Sequence, residues 1–467
     1  MKTINGEEFL EILYSNKGDI SISDYTIDYN KLSIDFEKVK TKNPIFFQNL
    51  TFTGKHLNFY NQTEKFKTII QIEDCTFNTS INIQGQFDDI SFRSNTFNCN
   101  KFQIINSKIG VLEFIDNDDM TSENKKNNIF NKGNFKIHNC DFSSIFWLKN
   151  VQFMENTTFD ISSVKFLSGC FFDFTSLNKI MFYSCDFLKE FRYDCNYNSS
   201  QFRECNFSGP TTFLGLFNVN LGTSILWLDD CTFSKLANFN RYFVHKLLIE
   251  DTTFRDNVSL QKTYLNIITI VRTVFEKKVW FENIQINQID NCDIETIRTI
   301  KQELQKAENK IDFSRFRVYE FNAYRKDIRK KLIEFKKDKN HFHHRKREPI
   351  QLKRDLFILD VSDIISEYGT DWKRAMKFTL MTGFTAFSLF FILENIKLNA
   401  DLNNWQDFLY GYFRFFLITD FKNEYYETGE SILKFNCFLS LIPFILGKIL
   451  VAFGIYEMIQ SFRKFKA

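Results

Sequence analysis

Proline occurs four times in 467 residues and glycine sixteen times, which excludes collagen-like and Pro-rich disordered chains. Only six histidines are present, which leaves little for acid–base catalysis. The chain has no Gly-x-Gly-x-x-Gly, P-loop, Gly-x-Ser-x-Gly or His-Glu-x-x-His pattern, so no enzyme activity and no cofactor are expected. No Cys-x-x-Cys pair occurs among the ten cysteines, and no metal site is expected. The first residues, MKTINGEEFLEILYSNKGD, are charged and amphipathic rather than a secretory core, so free thiols in a reducing compartment are the expectation. Net charge is only +3, but it is uneven: residues 1–295 hold 30 Lys+Arg against 36 Asp+Glu, and residues 296–467 hold 30 against 21. An acidic front and a basic back imply two parts with different tasks.

What is abundant is phenylalanine, at 58 residues, roughly three times ordinary usage. Aligning the cysteines exposes a repeat: Cys75-Thr-Phe77, Cys140-Asp-Phe142, Cys185-Asp-Phe187, Cys205-Asn-Phe207 and Cys231-Thr-Phe233. Degenerate copies are centred on Phe52, Phe97, Phe254, Phe275 and Ile294, and the intervals along the series are 25, 20, 45, 45, 20, 26, 21, 21 and 19. A period near twenty is too short for a βα unit. It suits a solenoid whose coils bury their cores only by stacking. Five-residue units with a small residue two before a large one imply a square coil. Cys75, Cys140, Cys185, Cys205 and Cys231 are then small inward corners, apolar filler rather than redox or metal sites. Phe77, Phe142, Phe187, Phe207, Phe233, Phe254 and Phe275 form the core. Segments 110–137 and 210–230 break the register, and Asp116–Lys132 is expected to be an exposed loop.

The segments CDFSS, CDFLK and CNFSG resemble pentapeptide repeats, A-(D/N)-L-x-x, with Cys for Ala and Phe for Leu. The resemblance covers 45–295 and implies a four-sided right-handed parallel β-helix, about 12 coils and about 55 Å tall at the usual strand spacing. Residues 1–44 are expected to form an N-terminal cap, with a short amphipathic helix at 5–16. Residues 296–338 are expected to be an α-helical hairpin closing the other end. A linker and pre-membrane helix, 339–372, follow. Segment 325–354 carries 13 Lys+Arg against 4 acids, with His341, His343 and His344. Its place before a hydrophobic region points to anionic lipid headgroups as partner rather than nucleic acid or a metal.

Residues 373–467 read as an α-helical transmembrane domain with two spans. Phe378–Leu393 is an uncharged run of sixteen residues, extended by flanking residues to about 20. Phe435–Ile459 is longer and is interrupted by Lys448 and Glu457. Basic residues flank both spans on one side, whereas 394–434 carries seven acids and four bases. The positive-inside rule then places both termini and the β-helix in the cytoplasm of an inner-membrane, multi-pass protein. Between the spans, Phe408–Thr419 is apolar but too short to cross, so 405–420 is expected to be a re-entrant or interfacial helix. Asp355–Leu359, Ser366–Trp372 and Gly447–Leu450 are similar to segments of bacterial pentapeptide-repeat membrane proteins with an ion-channel-like C-terminus. Where a potassium filter would stand, this chain has Leu417-Ile-Thr-Asp-Phe-Lys422, so a carbonyl filter is not expected. Lys448 either faces a wet pore or helix interface, or snorkels to the cytoplasmic side. Lys448, Arg414, Thr419 and Asp420 are the candidate pore-lining residues.

Two functions fit these features. One is an oligomeric pore or channel-like assembly with the cytoplasmic β-helix as sensing or assembly platform, in one form a membrane-disrupting defence effector. The other is a non-conducting, membrane-tethered scaffold whose β-helix binds a protein partner. Mimicry of nucleic acid by the acidic column is a third reading, disfavoured by tethering.

Overall fold

The computed structural model describes residues 1–116, 127–154, 157–215, 224–337, 348–398, 405–419 and 438–463, without the side chains of 63–65, 336–337, 394–398 and 405–407. They divide into two units, Met1–Glu308 and Asn309–Ala467.

The first unit is a parallel β-solenoid of about 11 turns. Each turn changes direction where a residue adopts positive φ just before the small inward residue, as at Asp74, Asn139, Ser184, Glu204, Asp230 and Asp251. Short polar side chains tolerate this left-handed conformation best, which accounts for the recurrent Asn, Asp and Ser there. The small residue then turns inward and the large one two positions later follows it, because successive strand side chains point to opposite faces.

The phenylalanines of the expected series fall in two columns rather than one. Ile27, Phe52, Phe77, Phe97, Phe130 and Phe153 are partners in successive coils. Phe87, Ile109, Phe142, Phe166, Phe187, Phe207, Phe233, Phe254 and Phe275 form the second. The expected series therefore changes column between Phe97 and Phe142. Both columns step by 33 residues in that coil, from Phe97 to Phe130 and from Ile109 to Phe142. A chain with an insertion there, and phenylalanine at more than one corner, presents a false 45-residue interval. Rings within a column stack face to face: Phe187 on Phe207 at 4.7 Å and Phe207 on Phe233 at 4.4 Å.

Other boundaries shift as well. Strand pairing starts before residue 45: Ile20–Ser23 pairs with Ile45–Gln48, and Lys2–Asn5 pairs with Tyr25–Asp28. Of the expected cap, only helix α1 (Gly6–Ser15) lies outside the coils. A reciprocal Asn5–Glu8 capping box starts it, and Phe9 and Leu13 are its buried face. The expected loop at 116–132 includes Ile129–Phe130, which pairs on both sides, and Asp116, which is buried; 117–126 lie outside the described residues. Within 210–230, Thr211–Leu214 and Ile225–Asp229 are regular strands. Cys292-Asp-Ile294 is not a further coil. Asp293 caps helix α2 (Ile294–Lys306), which buries Ile297, Ile300 and Leu304 over the last turn. Thr296 Oγ1 accepts the Ile270 amide at 2.7 Å, so α2 closes the open sheet edge.

The second unit begins with α3 (Lys310–Lys337). It packs on α4 (Glu348–Ser366) around Ile328, Leu359 and Tyr368. After a turn with positive φ at Glu367, Tyr368 and Gly369 come α5 (Trp372–Leu398), α6 (Trp405–Phe415) and α7 (Leu441–Arg463). The segments Trp372–Leu393 and Phe438–Arg463 are long and apolar enough to cross a membrane. His341, His343 and His344 lie outside the described residues.

Candidate functional site in the C-terminal helices

Close approach of α5 and α7 rests on small residues. A Cβ on Gly447 would lie 2.4 Å from Ala386 Cβ, and one on Gly454 would lie 2.2 Å from Thr379 Oγ1. Such a small-residue seam lets apolar helices gain dispersion contacts without a hydrophobic driving force. The hydroxyls of Thr379, Thr382 and Thr385 donate back to carbonyls one turn earlier, so they bring no unsatisfied polar group to the seam.

Helix α6 is docked on this pair. Phe415 joins Phe387, Phe390, Phe444 and Val451 in one cluster. Phe416 lies over Gly383, where an added Cβ would be 2.7 Å from the ring, and the Tyr412 hydroxyl donates to the Leu380 carbonyl at 3.2 Å. Lys448 completes the junction. It is 4% exposed, donates from Nζ to the Leu417 carbonyl at 2.8 Å, and lies 5.2 Å from the Phe415 and Phe444 ring centres. Leu417 follows the C-terminus of α6, the negative end of its dipole, so an ammonium beside it is stabilised by charge and by the ring faces as well as by the hydrogen bond.

Of the positions expected for Lys448, this geometry matches the helix interface. Inside one chain the ammonium already has a carbonyl and two ring faces, and a buried charge held that way has no reason to turn outward. Of the other candidates, Arg414 is half-buried in the last turn of α6 and Thr419 is exposed. Asp420 lies outside the described residues. The geometry brings Lys448 to the chain between Arg414 and Thr419 through backbone rather than through either side chain.

A second polar junction, not anticipated from sequence, sits near the other end of α7. Glu457 is 7% exposed, and the Ser366 hydroxyl donates to its Oε2 at 2.6 Å. Ser366 Oγ in turn accepts the Gly369 amide at 2.8 Å. Arg317 of α3 donates to the carbonyls of Tyr368 at 3.0 Å and Gly369 at 3.4 Å. Burial lowers the Arg317 guanidinium from its ordinary value, and the Glu457 carboxylate opposes that shift. Glu457 was visible in sequence as an acid in an apolar run. Nothing local pointed to Ser366, ninety-one residues away, as its donor.

No family model matches this chain, and no curated protein or solved structure matches it. The solenoid and the paired apolar helices are known from the chain's own geometry.

In the solenoid, Phe77, Phe142, Phe187, Phe207, Phe233 and Phe254 are buried, while Phe275 is half-buried at the end of its column. Cys75, Cys140, Cys185, Cys205 and Cys231 are buried free thiols. Burial pushes Cys75 and Cys140 up to about 12, so they stay protonated and unreactive near neutrality. Among the described residues no three His, Cys, Asp or Glu side chains converge as a metal site would require.

Proposed function

We propose that the chain is a bacterial pentapeptide-repeat membrane protein whose two spans assemble as an oligomeric pore, with the solenoid as its cytoplasmic sensing or assembly platform. The observation that carries this reading is α6. Eleven residues rise only about 16 Å, half of a bilayer core, yet the helix is clamped to both apolar helices by Phe415, Phe416, Tyr412 and Lys448. A short helix held between two spans is how a pore mouth is built. The most apolar windows of the two spans are only 22% and 39% buried within the chain, which supports lipid or sister copies around them rather than a soluble core. Two helices cannot enclose water, so three or more copies are needed. The basic flanks and acidic 394–434 segment support an inner-membrane protein with both termini cytoplasmic.

The competing reading, a silent tether whose solenoid binds a protein, is favoured by one observation: Lys448 is spent inside a single chain rather than offered to a lumen. Conductance decides between them. Purified full-length protein in a planar bilayer should give discrete current steps and should run as an oligomer in mild detergent. A monodisperse monomer with a silent bilayer would leave only the tether.

A further inference from the structure

Helix α4 has two unlike faces. One packs on α3 through Leu352, Leu356 and Leu359. On that side Asp360 pairs with Arg329 at 2.9 Å, Asp363 pairs with Arg325, and Asp355 lines the groove shared with α3. The other face is open and apolar: Ile350 is 55% exposed, Phe357 68%, Ile358 63% and Ile364 73%. Their spacing of seven, one and six residues keeps them on one stripe of a helix. The charged side chains exposed beside that stripe in the body of the helix are both cations, Lys353 and Arg354. Asp360 and Asp363 are thus turned toward the arginines of α3, and the cations flank bare apolar surface. After Ser366, five residues lead into the apolar helix α5, which opens with Trp372, Lys373 and Arg374.

We propose that α4 is an interfacial helix, its Ile350–Phe357–Ile358–Ile364 stripe sunk into the headgroup boundary of an anionic leaflet, with Lys353 and Arg354 on the lipid phosphates. An apolar stripe flanked by cations is the pattern that binds such a surface. The α3 arginines matter to it indirectly: they neutralise Asp360 and Asp363, whose charge would otherwise repel the same headgroups. The proposal rests on the reading that α5 and α7 cross the bilayer, and it adds that the leaflet also holds the helix before them. Through Ser366, which α4 supplies to Glu457 of α7, a shift of α4 in the leaflet would be felt by the second span.

The test uses full-length protein in phosphatidylglycerol–phosphatidylcholine vesicles. A photoreactive benzophenone side chain replaces Phe357, Leu389 within α5, or Ile333 on α3, one at a time. Lipid adducts are expected at 357 and 389 and not at 333. Replacing phosphatidylglycerol by phosphatidylcholine should cut the 357 adduct, as should Lys353→Glu with Arg354→Glu, by about fivefold for each basic residue at an anionic surface. The 389 adduct should not change. Lipid adducts at 389 without any at 357 overturn the α4 proposal and leave the spans standing. Adducts at neither position overturn the membrane reading itself. A cross-link from 357 to a second copy, or a 357 adduct indifferent to lipid charge, also overturns the proposal.

Discussion

Phe207 is held on both sides by its own kind, between Phe187 at 4.7 Å and Phe233 at 4.4 Å, so its truncation opens a gap that neither neighbour can close. Phe207→Ala should therefore cost about 3–5 kcal/mol, read as a lower denaturant midpoint; an unchanged midpoint would refute the column register. Its neighbour Cys205 is a different case. The equivalent residue two turns on, Thr252, donates its hydroxyl to the Glu250 carbonyl at 2.8 Å, while the Cys205 thiol uses the Arg203 carbonyl in the same way. Cys205→Ser keeps a donor for that carbonyl and should cost no more than about 1 kcal/mol. Asp89 gives the solenoid a pH dependence. Burial, with Glu113 and Asp88 nearby, raises its carboxyl from 3.8 to about 6. The folded state then holds the proton more tightly than the unfolded chain, so stability should fall as pH climbs from about 4 to about 6. Asp89→Asn should flatten that part of the profile and raise the midpoint at neutral pH. A steeper slope in the variant would contradict the assignment.

Helix α7 carries two buried charges, and each fastens a different element to it: Lys448 holds the end of α6, and Glu457 holds the end of α4. Lys448→Met keeps the volume but strips the Leu417 carbonyl of its donor, while Lys448→Glu sets a carboxylate against that carbonyl. Losing a hydrogen bond made by a charged donor costs about 1.5–3 kcal/mol, so thermal stability in detergent should run from wild type through Met to Glu. If Lys448→Glu melts like wild type and merely shifts ion selectivity, the side chain faces water and the clamp is wrong. Gly454→Leu tests the seam: a side chain where Thr379 Oγ1 would be 2.2 Å away must push α5 and α7 apart and lower the melting temperature. Much of this level was legible beforehand. Periodicity gave α1, the long apolar runs and the short helix between them, since each pattern is local. The two phenylalanine columns were not legible, because one insertion shifts both by the same 33 residues and the corners carry the same residue type. Nor was the Lys448 partner, a backbone carbonyl that has no sequence signature at all.

At the scale of the whole molecule, charge and hydropathy do different work. The apolar runs decide how many times the chain could cross a bilayer; the flanking cations decide which way round. Before the first span stand Lys373, Arg374 and Lys377 in addition to the 325–354 cluster, and after the second stand Arg463, Lys464 and Lys466. Translocating either cluster would carry its cations through the hydrocarbon, whereas the segment between the spans has the opposite balance, seven acids to four bases. Two crossings return the chain to its starting side, so the solenoid and Ala467 should share the cytoplasm. A cytoplasm-active reporter fused after Ala467 should be functional, and a cysteine replacing Glu427 should react with a membrane-impermeant maleimide in cells whose outer barrier is opened. The buried thiols of the solenoid will not obscure this, since burial keeps them from the reagent until unfolding. If the reagent reaches position 427 only after the membrane is dissolved, the hairpin points inward and the charge argument fails. If position 427 and a tag after Ala467 are both reached in sealed cells, the chain does not cross twice.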